Sequence, residues 1–142
     1  MYDYTQAKMN DDAIRAISSI GLAHLGDAVY ELLVRTYLCV HGKATGKGLH
    51  RATVELVCAP QQARFAEKLL PLLTEEEASV FRRGRNAKKP TRAKHADVAE
   101  YNLSTALEAV FGYLYLTGNY DRLSELFALS LIHISEPTRL GM

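Results

Sequence analysis

The stretch YNLSTALEAVFGYLYLTGNY, residues 101–120, carries one formal charge in twenty residues, Glu108. The stretch AISSIGLAHLGDAVY, residues 16–30, likewise carries only Asp27. Neither alternates apolar and polar residues with period two, so both read as apolar helices. An unpaired carboxylate in such a helix is costly to desolvate unless something offsets the cost or the group takes up a proton. A divalent cation held between Asp27 and Glu108 would remove the cost for both.

On a helical wheel Asp27 shares a face with Ala23, Glu31 and Val34, with Leu22, Leu25, Val29 and Leu32 on the opposite side. Glu108 shares its face with Ser104, Thr105, Gly112 and Tyr115, while Leu103, Ala106, Val110 and Leu114 point away. Each acid thus has small or polar neighbours, which leaves room for a hydrated ion. Gly26 and Gly112 sharpen the expectation. A glycine inside a helix costs about 1 kcal/mol relative to alanine, and close approach of the two helices is the simplest reason to keep both. Mg²⁺ takes one or two carboxylates and keeps several waters. The alternative is an ordinary bundle in which Asp27 pairs with His24 or Arg35 and Glu108 with a tyrosine hydroxyl.

The rest of the chain also reads as helix, which predicts an all-α single domain. Helices are expected from Asn10 or Asp11 toward Ser18, over 21–40, over 49–57, and from Pro60 to about Leu70. Gly42 stops the second, and a glycine-rich loop spans 42–48. Thr74 with Glu77 forms a capping box for a fifth helix ending near Gly84. A sixth runs from about Asp97 to Gly118, with a break before Tyr101, and Asn119 caps a last one to about Ala128. Residues 129–139, LSLIHISEPTR, resemble the translation of a transposon-type sequencing adapter. Residues 1–128 are therefore expected to be the functional domain and 129–142 a non-native tail. If the tail were genuine, His133 and Glu136 would join the candidates.

At 142 residues, 48% hydrophobic with a mean hydropathy of -0.10, the chain is expected to be a soluble globular protein with one core. It shows no membrane-length apolar run and no signal-peptide core, which points to the cytoplasm. Cys39 and Cys58 lack metal-site spacing and are expected as buried free thiols of a reducing compartment. Nor do His24, His41, His50, His95 and His133 have zinc-site spacing. Tyr30, Tyr37, Tyr113 and Tyr115 read as core or interface residues rather than stacking platforms for bases.

The net charge of +1 hides an asymmetry. Arg82, Arg83, Arg85, Lys88, Lys89, Arg92 and Lys94 fall in thirteen residues without one acid, leaving ten basic against 16 acidic residues elsewhere. An expected basic loop over 84–96 is too short and broken for a DNA-reading helix. It suits contacts to a phosphate backbone, by which duplex RNA is mainly recognised. The competing reading is a solvated charged loop.

Three segments in order, HLGDAVYELLVR (24–35), RRGRNAK (82–88) and STALEAVFGYLYLTG (104–118), resemble the ribonuclease III family and its compact Mini-III branch. The resemblance spans about residues 18–128. It implies an all-helical endonuclease domain acting as a homodimer, without a separate RNA-binding domain. It implies Mg²⁺-dependent cleavage of double-stranded RNA to 5′-phosphate and 3′-hydroxyl ends, the substrate being precursor of large-subunit (23S) ribosomal RNA. Asp27 matches the family's motif aspartate and Glu108 its late glutamate, both catalytic metal ligands. Glu31 is a further candidate for the metal. Arg83, Arg85, Asn86 and Lys88 become the expected RNA contacts, with Lys89, Arg92 and Lys94 as additional ones. Where longer relatives have glutamates seven and four residues before the aspartate, this chain has Ile20 and Ala23; where they have an aspartate before the late glutamate, it has Thr105. The Mini-III branch is similarly reduced, and the number of bound ions stays open. Ribosomal proteins are further expected partners, and a non-catalytic, ribosome-associated RNA-binding protein of the same fold and a plain helical interaction module are the competing functions.

Overall fold

A computed structural model describes residues 1–42, 46, 48–88 and 97–140, with side chains up to Ile132. Among these residues the chain forms helices α1 (Asp11–Arg15), α2 (Ser19–Val40), α3 (Leu49–Val57), α4 (Ala59–Leu69), α5 (Glu75–Asn86), α6 (Val98–Leu116) and α7 (Tyr120–Leu140). A single 3₁₀ turn, Leu70–Leu72, follows α4.

Local sequence sets most of the boundaries. Asn10 caps α1 by accepting from the Ala13 N–H at 2.9 Å, and Ser18 caps α2 by accepting from Gly21 at 2.9 Å. The expected capping box of α5 is present, Thr74 and Glu77 exchanging bonds of 2.9 and 3.2 Å. Asp97 caps α6 through the Ala99 N–H. Gly118 takes a left-handed φ of 77° after α6, and the Asn119 N–H returns to the Leu114 carbonyl at 2.9 Å.

Helix α6 is the axis of the fold and is buried on nearly every side from Ser104 to Leu114. α2, α4, α5 and α7 pack around it. The core joins Val34 and Tyr30 of α2, Phe65 and Leu69 of α4, Phe81 of α5, Phe111 of α6 and Leu126 of α7. Tyr30 meets Phe111 and Phe127 edge-on, with centroids 5.3 and 5.8 Å apart. The N-terminal segment lies along the α6–α7 junction, tied by Tyr120 Oη donating to the Ala7 carbonyl and Tyr115 Oη to that of Tyr4.

Several expectations need correction. Helix α5 does not stop at Gly84 but continues to Asn86, so Arg85 and Asn86 stand on helix rather than loop. A Cβ on Gly84 would lie 3.0 Å from the Ala109 Cβ and 3.1 Å from the Ala106 Cα. This glycine is kept for close packing on α6, not as a stop. Helix α6 has no break at Tyr101. Cys39 is exposed and Cys58 half-buried, so neither is the sequestered thiol expected. Helix α7 also runs past Ala128, because Leu126, Phe127 and Ser130 continue one buried stripe. No helix among the described residues is long and apolar enough to cross a membrane.

Candidate active site

The site is built where α2 crosses α6, and two glycines make the crossing tight. A Cβ on Gly26 would come 1.6 Å from the carbonyl oxygen of Glu108 and 2.9 Å from the Gly112 nitrogen. Reciprocally, a Cβ on Gly112 would come 2.1 Å from the Leu22 carbonyl oxygen. Backbone therefore packs on backbone, as the two interior glycines suggested. Because Asp27 follows Gly26, and Gly26 rests on the backbone of Glu108, the crossing itself delivers the two carboxylates to one place.

The Asp27 and Glu108 side chains come within hydrogen-bonding range of each other. Asp27 is exposed while Glu108, behind it, is half-buried. Burial first, and then the contact with and charge of Asp27, push the Glu108 carboxyl up to about 9. The amide of Gln62 lies beside the Glu108 carboxyl and opposes that shift. The simpler pairings do not form: Arg35 Nη2 lies 2.7 Å from Glu31 Oε2, and the described tyrosine hydroxyl bonds do not involve Glu108. Two facing carboxylates, one of them drawn out of water, are an oxygen donor set that repels itself until a cation is shared. That chemistry fits Mg²⁺. Among the described residues no three His, Cys, Asp or Glu side chains are grouped to hold an ion. Glu31, one turn beyond Asp27, is paired with Arg35.

Sequence reasoning passed over Gln62. It is 2% exposed and its Oε1 accepts from the Ser104 hydroxyl. The signal was a polar residue in register with Phe65, Ala66 and Leu69 on the buried face of α4.

The basic residues gather at the end of α5. Arg82, Arg83 and Asn86, with Ser18, Ser19 and Ile20 at the start of α2, line an open groove of about 500 Å³. Arg83, Asn86 and Lys88 are exposed, whereas Arg85 is half-buried with its guanidinium 6.0 Å from the Phe81 ring centroid. Lys89, Arg92 and Lys94 lie outside the described residues.

Residues 21–119 match the model of the ribonuclease III domain. The chain is 41% identical over 117 residues to Mini-ribonuclease 3 of Clostridium tetani, covering 82% of this chain and 78% of that one. It is 50% identical over 105 residues to Mini-ribonuclease 3 of Symbiobacterium thermophilum, covering 74% and 81%. A crystal structure of a Fusobacterium nucleatum protein superposes with a TM-score of 0.73 at 31% identity, over 79% of this chain and 91% of that one. The matched span encloses both carboxylates and the α2–α6 crossing that holds them together, and the chain belongs to the ribonuclease III family, in its Mini-ribonuclease III branch, as an endoribonuclease.

Proposed function

We propose that this endoribonuclease cuts double-stranded RNA with Mg²⁺ held by Asp27 and Glu108, and that its substrate is precursor of 23S ribosomal RNA. The observation that carries the metal reading is the acid pair itself, its two side chains in reach of each other and, among the described residues, neither of them in a salt bridge. An ion bound there supplies Lewis-acid polarisation of the scissile phosphate and a more acidic water. The chain's own residues do the rest. Glu108, immobilised from behind, and Asp27, open to solvent, present oxygens to the reaction centre. Arg83, Arg85, Asn86 and Lys88 hold phosphates of the duplex and set its register without reading bases, and Lys89, Arg92 and Lys94 extend that grip.

The protein works in the cytoplasm as a homodimer in which each acid pair cuts one strand, and ribosomal proteins are its further partners. Leu32, 61% exposed, borders an apolar groove with Leu33, Tyr115 and Tyr120, a surface suited to a second copy. Residues 129–142 are an appended tail that the reaction does not use.

The test is incubation with long duplex RNA, with and without Mg²⁺, for the wild type and for Asp27→Asn and Glu108→Gln. Wild-type protein cuts only with the ion. Each variant loses roughly 10²- to 10³-fold or more in rate while still binding the duplex. Undiminished cutting by either variant would remove these residues from the reaction.

A further inference from the structure

Gln62 and Ser104 stand behind the acid pair, on the side away from solvent. We propose that Gln62 is a positioning residue for Glu108, with its amide turned by the Ser104 hydroxyl so that the –NH₂ group holds the Glu108 carboxylate toward Asp27. The inference rests on the nuclease reading of that pair and names the residues that aim it.

The buried face of α4 is made of Gln62, Ala63, Phe65, Ala66 and Leu69. An amide there is costly unless both its ends are bonded, so an apolar residue would serve the core better. One end is bonded, to the Ser104 hydroxyl, and the Glu108 carboxyl lies beside the same amide: Ser104 and Glu108 are a turn apart on α6, so a single amide can span them. A carboxylate can only accept, and an amide has one accepting and one donating end. Ser104 donates to Gln62 Oε1, which leaves the donating end of the amide for Glu108. The neighbouring Thr105 shows the default for a helical hydroxyl, donating to the Tyr101 carbonyl four residues back at 2.9 Å. Ser104 instead reaches across to α4. The backbone of Glu108 is fixed against Gly26, and Gln62 stands beside its carboxyl, so a bond from that amide restrains the side chain from the second direction.

Gln62→Leu and Ser104→Ala test this, each read by Mg²⁺ titration calorimetry without RNA and by cleavage kinetics. Residues behind metal ligands typically change affinity or activity by 10- to 100-fold. Gln62→Leu is expected to weaken Mg²⁺ binding by roughly tenfold or more and to lower kcat, with KM for duplex RNA and the metal-free melting temperature held. Ser104→Ala moves the same quantities in the same direction by less, since the freed amide can still turn toward Glu108. Gln62→Leu with wild-type Mg²⁺ affinity and kcat overturns the proposal. So does a parallel loss of RNA binding and of folded protein in Ser104→Ala, which would mark a purely structural bond. If Gln62→Leu does not fold, Ser104→Ala decides: unchanged metal affinity rejects the proposal, and a selective fall in affinity and kcat upholds it. Wild-type protein that neither binds Mg²⁺ nor cuts duplex RNA would instead sink the nuclease reading, and this inference with it.

Discussion

Glu77 and Glu108 are two glutamates withdrawn from water on adjoining helices, α5 and α6, and their surroundings are opposite. Glu77 receives the Arg122 guanidinium in a two-pronged bond, Nε to Oε2 and Nη2 to Oε1, both at 2.9 Å, together with the Thr74 N–H. Burial alone would raise its carboxyl, but the Arg122 and Thr74 bonds outweigh burial and hold it below the usual glutamate range. Glu108 has one amide beside it and faces the Asp27 carboxylate, and its carboxyl stands at about 9. Glu77 is compensated within the fold by Arg122, whereas among the described residues no cationic side chain is set against Glu108.

The sharpest way to break the contrast is Gly26→Ala. The added methyl would overlap the Glu108 backbone, so α2 and α6 must separate. Overpacking against backbone that cannot yield is expected to cost about 3 kcal/mol or more, seen as a lower denaturation midpoint in urea. Wild-type stability would mean the crossing is looser than the geometry requires.

Glu77→Gln attacks the compensated side. Removing one member of a buried pair leaves Arg122, whose side chain is 24% exposed, without its main partner. The expected loss is about 3 kcal/mol. Because the native carboxyl titrates below its unfolded value of 4.5, its contribution is present above that pH and fades as pH falls through the native value. The variant should lack that acid slope in its stability profile.

Replacing Arg83 and Arg85 with alanine separates the two charged regions. If these side chains hold phosphate, duplex affinity falls by about 1 kcal/mol for each phosphate released, across all sequences, and the slope of binding against salt becomes shallower. Equal salt slopes before and after would show that this end of α5 does not touch the backbone of the RNA.

Glu108→Gln gives the smallest change and the opposite sign to Glu77→Gln. Without a divalent ion it removes the cost of holding the Glu108 carboxyl protonated beside Asp27 and should stabilise by about 1 kcal/mol or more near neutral pH. The native Glu108 carboxyl sits above its unfolded value of 4.5, so its contribution is complete below that pH and is lost as pH rises toward 9. Metal-free wild type should therefore weaken over that interval, and the variant should not. A thermal melt at several pH values checks both.

The acid pair was legible because isolation from other charge is a sequence property, and so was the crossing, because an interior glycine demands a reason. The same argument applied to Gly84 would have carried α5 through to Asn86. Its position among arginines made it read as a stop, although its neighbour is the Ala106–Ala109 face of α6. Gln62 was missed because its partners lie 42 and more residues away, and a polar residue on one helix says nothing of which helix it faces. The Glu77–Arg122 bond escaped for the same reason: the capping box explained Glu77 locally, and a residue with one sufficient role does not advertise a second. Helix α7 continues past Ala128 where Leu126, Phe127 and Ser130 pack inward, a continuation that the foreign look of the following sequence concealed.

An ion shared by Asp27 and Glu108 is probed most simply by the rise in melting temperature on adding Mg²⁺ near neutral pH, compared among wild type, Glu108→Gln, Asp27→Asn and Glu77→Gln. Wild type and Glu77→Gln should show a rise that depends on Mg²⁺ concentration, however low the latter starts, and the other two should show none. An equal rise in all four proteins would overturn the shared site, because the ion would then be binding somewhere other than between Asp27 and Glu108.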